Sequence, residues 1–236
     1  MGLTKQAASK AIYLAIKDYS IWQELKQRVD GCEEITVTNP KTKEVLTKYG
    51  YHFRDLEGYV VKLEKYDRKD EKSGSRYFGF KMHMVEGADT FILDMPYHSM
   101  ILRRFLRIAP NVDWARPLSL TVFRGKKKGQ GSEETGIWFR QAGATVKSFY
   151  TREQPNGMPA AKQDPHTQEW DFKAQHSWLV DQLIHHTAPE ILAIAKDASR
   201  DDHSDVAEPE STQDHRDGGG TNAAEEWGIT DDDVPF

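Results

Sequence analysis

One cysteine, Cys32, is all that 236 residues contain. A lone thiol excludes an internal disulfide and any zinc site built from several cysteines, and it fits a reducing compartment. Long apolar runs are missing too. No stretch approaches the roughly 18 consecutive apolar residues of a membrane-spanning helix, and the segment after Met1 lacks the apolar core of a secretory signal. The expectation is a soluble protein of the cytoplasm. Catalytic signatures are equally scarce: there is no Gly-rich phosphate loop, no G-x-S-x-G elbow and no internal repeat. His185-His186 and the group His166, Glu169 and Asp171 come nearest to metal ligands, yet neither has a recognised ligand spacing. This points to a protein that is not an enzyme and uses no metal or cofactor.

What is present is charge, divided unevenly. From Asp197 to Phe236 there are 13 acidic and 2 basic residues, a net of -11, whereas the whole chain carries -5 and residues 1–196 therefore +6. A basic body is joined to an acidic arm. The arm contains Gly218, Gly219 and Gly220 and almost no large apolar residue before Trp227, too little to offset the entropy of ordering it. Residues 197–236 are expected to be a disordered tail, and residues 1–196 to hold the folded body.

In that body, apolar and polar residues alternate with period two. Glu57 to Tyr66 sets Tyr59, Val61 and Leu63 against Lys62 and Tyr66; Arg76 to Val85 sets Phe78, Phe80, Met82 and Met84 against Tyr77, Lys81 and His83. Two half-buried strands and a third, Thr90 to Met95, make a meander. Met100, Ile101, Phe105 and Ile108 then fall near helical spacing up to Pro110. Leu118 to Phe123, Ile137 to Gln141 and Thr145 to Tyr150 read as further strands. Upstream, Ala11 to Ile16, Ile35 to Thr38 and Val45 to Phe53 are short strands. Downstream, Ala174 to His186 is helical and Thr187-Ala188-Pro189-Glu190 reads as a capping box opening a second helix through Lys196. Three strands, a helix and a hairpin are the element order of an OB fold. The expected class is mainly β with α additions: a partly open, five-stranded OB-fold barrel with N-terminal strands, C-terminal helices and the acidic tail.

Rings and cations interleave on the outward positions of these strands. Ile137 and Phe139 would face the core and leave Trp138 and Arg140 outside, and on the next strand Lys147 and Phe149 oppose Val146 and Tyr150. Lys62, Tyr66, Tyr77 and Lys81 add a second set, and the basic run Arg124, Lys126, Lys127 and Lys128 lies between the last barrel strands. Aromatic rings stack on bases and cations meet phosphates, which is the chemistry of single-stranded nucleic acid binding. Any one of these rings, taken alone, reads more readily as a core or interface residue than as a base platform; the interleaving with cations brings the two readings level.

The chain ends Asp231, Asp232, Asp233, Val234, Pro235, Phe236. An exposed Phe gains nothing from water, but a partner's apolar pocket can take it while the acidic run steers the encounter. This tip resembles the acidic tip of bacterial single-stranded DNA-binding proteins, which commonly end Asp-Asp-Asp-Ile-Pro-Phe. The stretch from Leu56 to Pro159, with PNVD at Pro110 to Asp113, ATVKSFYT at Ala144 to Thr151 and EQPNGMP at Glu153 to Pro159, resembles single-stranded DNA-binding proteins of tailed phages. The resemblance implies an OB-fold body that coats single-stranded DNA in replication, recombination or repair. It also implies a tip, Asp231 to Phe236, that recruits a polymerase, helicase, primase or nuclease in the host cytoplasm. Two other readings use the same residues: an adaptor or DNA-mimic inhibitor acting through the acidic arm without DNA binding by the body, and a strand-annealing mediator.

Overall fold

The computed structural model describes residues 11–38, 43–69, 76–126 and 133–201, with strands prevailing as far as Gln141 and helix from Lys173 onward. In chain order the strands are β1 (Ala11–Lys17), β2 (Ser20–Leu25), β3 (Glu33–Thr38), β4 (Val45–Phe53), β5 (Asp55–Lys69), β6 (Arg76–Glu86), β7 (Asp89–Pro96), β8 (Leu118–Lys126), β9 (Glu133–Gln141), β10 (Ala144–Thr145), β11 (Lys162–Gln163) and β12 (Trp170–Asp171). The helices are α1 (Met100–Ile108), α2 (Lys173–Gln182) and α3 (Ala188–Asp201). Ten strands form one sheet in the order β10-β9-β8-β5-β6-β7-β1-β2-β4-β3, and β11 and β12 form a separate small hairpin. The architecture is thus mainly β with helices near the end of the described chain, as expected. The sheet is open among the described residues, with no hydrogen-bonded pairing between β7 and β9. Instead β7 pairs in parallel with β1, Ala11 facing Thr90 and Leu14 facing Leu93.

β2 is a strand that sequence reading passes over. Its hairpin with β1 turns through Asp18 and Tyr19, both at positive φ (48° and 63°). Tyr is an uncommon residue in that region, so no Asn-Gly or Asp-Gly signal marks the turn.

β5 carries the most consequential irregularity. It pairs with β8 from Asp55 to Gly58 and with β6 from Tyr59 to Lys69, and the register slips between Val60 and Lys62. A bulge of one residue reverses the inside–outside parity downstream. Strict alternation places Tyr59, Val61 and Leu63 on one side. In the structure Gly58 and Val60 are buried, Tyr59 is 51% exposed, and Leu63 nevertheless packs against the core. On β6 the expected division holds, with Phe80, Met82 and Met84 inside.

Two further expectations are corrected. The strand Thr145 to Tyr150 is confined to Ala144–Thr145, because after Val146 the chain leaves β9 and lies along α1, where Phe149 N donates to the Arg107 carbonyl at 2.8 Å. The capping box at Thr187 is not formed either. Leu183–Thr187 is a π-helical turn running straight into α3, with Ala188 N donating to the Leu183 carbonyl, and Thr187 is buried. Pro189 lacks an amide proton, and a widened turn just before it accommodates that loss without ending the helix.

The core lies between the sheet and its helices. α1 supplies Ile101, Leu102, Phe105, Leu106 and Ile108, and the Phe105 ring meets Phe139 of β9 and Trp114 at 5.8 and 6.0 Å. Ser99 caps α1 by accepting the Leu102 amide at 3.3 Å. Leu179, Val180, Leu183 and Ile191 bring α2, the π turn and α3 onto the same core. Residues 197–201 extend α3, so helix continues into the start of the segment expected to be disordered. The rest of that segment, 202–236, lies outside the described residues, as does the tip Asp231 to Phe236.

Candidate nucleic-acid interface

Paired positions on neighbouring strands point to the same face of a sheet, so the outer face can be followed strand by strand. Trp138 of β9 lies opposite Thr121 of β8, which lies opposite Asp55 of β5; one step along, Arg140, Ser119 and Glu57 form the parallel row. Phe123 sits opposite Gly136, where a β-carbon would collide with its ring. The absence of a side chain at Gly136 is what lets Phe123 lie flat across β9. Its ring centroid is 4.4 Å from that of Trp138, and the Arg140 guanidinium covers Trp138 at 4.6 Å. Phe123, Trp138 and Arg140 are each half-buried and together form a ring–ring–cation stack on an open sheet face.

A second patch lies across β5, β6, β7 and β1. Lys62 is opposite His83, His83 opposite Ile92, and Ile92 opposite Tyr13. Tyr13 is 60% exposed, and the Lys81 ammonium stands 5.7 Å from its ring centroid. Tyr66 reaches across Gly79 towards Asp94; a β-carbon at Gly79 would sit 2.6 Å from the Tyr66 hydroxyl. Burial and then the Asp94 carboxylate push the Tyr66 phenol well above its usual pKa, and the Arg68 guanidinium lies 5.1 Å from its ring. Tyr77 is exposed opposite Arg68. Lys62 pairs with Glu64 at 3.1 Å, and Glu64 also faces His83 at 3.2 Å. The hydrogen bond from Lys62 is the chief reason the Glu64 carboxyl lies below its usual range, while burial, then the Lys62 charge, holds His83 below the ordinary imidazole value.

Of the residues singled out from sequence, Trp138 and Arg140 share one patch and Lys62, Tyr66, Tyr77 and Lys81 the other. Asp55 and Glu57 separate the two, although the Thr121 hydroxyl donates to Asp55 at 2.6 Å. Arg124 belongs to the opposite side of β8, with Val122, and its guanidinium lies 4.7 Å from the Tyr19 ring in the β1–β2 turn. Lys147 and Phe149 do not join Trp138. The Lys147 carbonyl accepts from Asn111 Nδ2 at 2.9 Å, and the half-buried Phe149 ring stands edge-on to Tyr150. Lys126 closes the β8–β9 pairing opposite Glu133, while Lys127 and Lys128 lie outside the described residues.

Phe123, Tyr13 and Arg68 are members of the face that sequence reading does not pick. Simple alternation would find the first two: Ser119, Thr121 and Phe123 are the outward set of β8, and Tyr13 lies between the inward Ile12 and Leu14. Ser20, His52 and Glu33 also converge at the far end of the sheet, the Ser20 hydroxyl meeting His52 Nδ1 and His52 Nε2 lying 3.8 Å from Glu33. The hydroxyl also donates to the Lys17 carbonyl at 2.9 Å, so the arrangement pins the β1–β2 hairpin to β4. Among the described residues no group of three or more His, Cys, Asp or Glu is placed to hold a metal ion, and no helix is long and apolar enough to cross a membrane. No family model, curated protein or solved structure matches the chain.

Proposed function

We propose that the chain is a sequence-independent, non-enzymatic single-stranded DNA-binding protein that coats unpaired DNA during replication, recombination or repair. The observation that carries this reading is the Phe123–Trp138–Arg140 stack on an open sheet face, repeated in kind by Tyr13–Lys81 and Tyr66–Arg68. Splayed bases stack on such rings and the adjoining cations meet the phosphates, with little dependence on sequence. Asp55 and Glu57 repel phosphate, so the two patches act as separate contacts rather than one continuous groove.

The topology supports an OB-type body. β5 pairs with β6 and β8, β6 with β7, and β8 with β9, and α1 follows β7, which is the OB order of a three-strand meander, helix and hairpin. In this reading the barrel remains open between its third and fifth strands, β7 and β9, and β1 fills the β7 edge. The acidic tip Asp231 to Phe236 acts as the docking peptide for replication or recombination enzymes in the cytoplasm. The test is a titration of labelled oligo-dT against duplex DNA and RNA of equal length at two salt concentrations. Tight, salt-sensitive binding of oligo-dT over duplex is expected. Absence of salt-sensitive binding would favour instead an adaptor that works through its acidic arm.

A further inference from the structure

At the far end of the sheet, β3 and β4 extend beyond their support. β2 pairs with β4 from Tyr49 to Phe53, so among the described residues Val45 to Lys48 have β3 as their only strand partner, Lys48 also reaching Glu24 of β2 at 2.7 Å, and no strand pairs with the other edge of β3. Residues 35–38 and 45–48 therefore form a two-stranded ribbon open along both sides, an arrangement that is marginal in water without further packing. Natural edge strands are shielded by lysine, proline, bulges or a covering helix. Between Ile35 and Thr38 there is no charge and no proline, and the pairing with β4 runs without a register shift. One face of the ribbon carries Ile35, Val37 and Leu46, with Lys48 at its inner end drawn to Glu24. Ile35 faces Lys48 and Val37 faces Leu46, Leu46 is 48% exposed, and Ile35 and Val37 are half-buried.

We propose that the free edge of β3 pairs with the same edge of a second copy of the chain, antiparallel about a two-fold axis at Thr36. The sequence is self-complementary in this register. Ile35 meets Val37 of the second copy, Thr36 meets its own counterpart, and Glu34 meets Thr38, so no carboxylate faces a carboxylate. A register centred two residues earlier, on Glu34, would oppose two like charges, which is destabilising on a sheet. Glu33 is already turned toward His52 at 3.8 Å. Ile35, Val37 and Leu46 of both copies would then lie on one face of a continuous sheet and bury each other's exposed surface. The pairing is independent of nucleic-acid binding.

The experiment is sedimentation velocity on the full chain, free of nucleic acid, across a wide concentration range, beside Thr36→Lys. A concentration-dependent monomer–dimer equilibrium is expected for the natural chain. Thr36→Lys places two ammonium groups opposite each other and should weaken association by roughly tenfold or more. Thr36 is exposed, so the thermal midpoint should hold; if it falls, a second variant decides. In Cys32→Ser with Thr36→Cys, opposed α-carbons of an antiparallel pair lie about 4.5–5.5 Å apart, within disulfide reach, so mild oxidation should yield a covalent dimer. Cys32→Ser with Thr47→Cys, one strand back from the axis, should not cross-link. A chain that stays monomeric throughout, or a dimer that neither responds to Thr36→Lys nor cross-links at position 36, overturns the proposal.

Discussion

Replacing Trp138 with Ala tests the interface most directly, because the structure separates its effect on binding from its effect on folding. The indole lies against Phe123 and beneath Arg140, at the surface rather than in the core. Loss of the ring pair costs roughly 0.5–1.5 kcal/mol and loss of the exposed cation–π pair roughly 0.5–1 kcal/mol. For a chain of this length, each kcal/mol lowers the midpoint by about 2–4 °C, so a fall of a few degrees is expected. A base platform contributes more to binding: about 1–3 kcal/mol of oligo-dT affinity should be lost, roughly fivefold to 150-fold in Kd. The neighbouring Phe139→Ala provides the opposite pattern. Phe139 is buried against Phe105, and its truncation should cost about 3–5 kcal/mol of stability while the folded fraction binds nearly as before. Tryptophan fluorescence read during the titration adds an independent signal, since stacking quenches indole emission and the variant should lose that part. If Trp138→Ala binds oligo-dT as tightly as the natural chain at matched folded fraction, the stack is packing and the interface lies elsewhere.

Gly136→Ala adds neither charge nor ring, yet it should displace Phe123 from its seat and weaken oligo-dT binding, read by fluorescence anisotropy; unchanged affinity would detach Phe123 from the site. Changing Lys126, Lys127 and Lys128 to Gln should reduce the slope of log affinity against log salt by roughly 0.7 for each phosphate deprived of its ammonium partner. Deleting Asp197 to Phe236 removes a net charge of -11 and should raise DNA affinity at low salt, the gain shrinking as salt is added, whereas deleting Phe236 alone should leave DNA binding intact and abolish pull-down of a purified host replication protein. His83 and His176 are both held below the ordinary value of 6.5, chiefly by burial, so the unfolded chain takes up more protons than the folded one as pH falls below that value. Their contribution to stability is therefore complete above about pH 6.5 and is lost on acidification towards the folded-state pKa, and a calorimetric midpoint that falls less steeply below pH 6.5 in the His83→Gln, His176→Gln variant would be the sign of it.

Wherever period-two alternation is strict, sequence places the strands and their faces correctly: Ile137 and Phe139 in, Trp138 and Arg140 out, and Phe80, Met82 and Met84 in. It fails where a local rule is overridden by something non-local. The bulge after Val60 is imposed by a strand that serves two partners, and no residue type announces it. Phe149 resembles a strand residue, but the Arg107 carbonyl draws its amide away from β9. Thr187 to Glu190 has the spacing of a helix start, yet burial of Thr187 and a π turn carry the helix through. Gly79 and Gly136 carry no signal in the sequence because their role depends on rings lying across them from neighbouring strands.

The parallel pairing of β1 with β7 bears on how the chain is made. Hairpins β1–β2 and β3–β4 leave the ribosome early, with the β7-facing edge of β1 unsatisfied until the whole β5–β6 meander has followed. Long-range parallel pairing is slow to form, so this edge stays exposed on the nascent chain until β7 arrives. A product that stops before Asp89 would carry the hairpins β1–β2, β3–β4 and β5–β6 with nothing to cover that edge and should aggregate. A product that begins after Phe53 would leave the edge of β7 bare instead. A pause in translation before β7 emerges should therefore prolong the exposure of the β1 edge, and a pause after it should not.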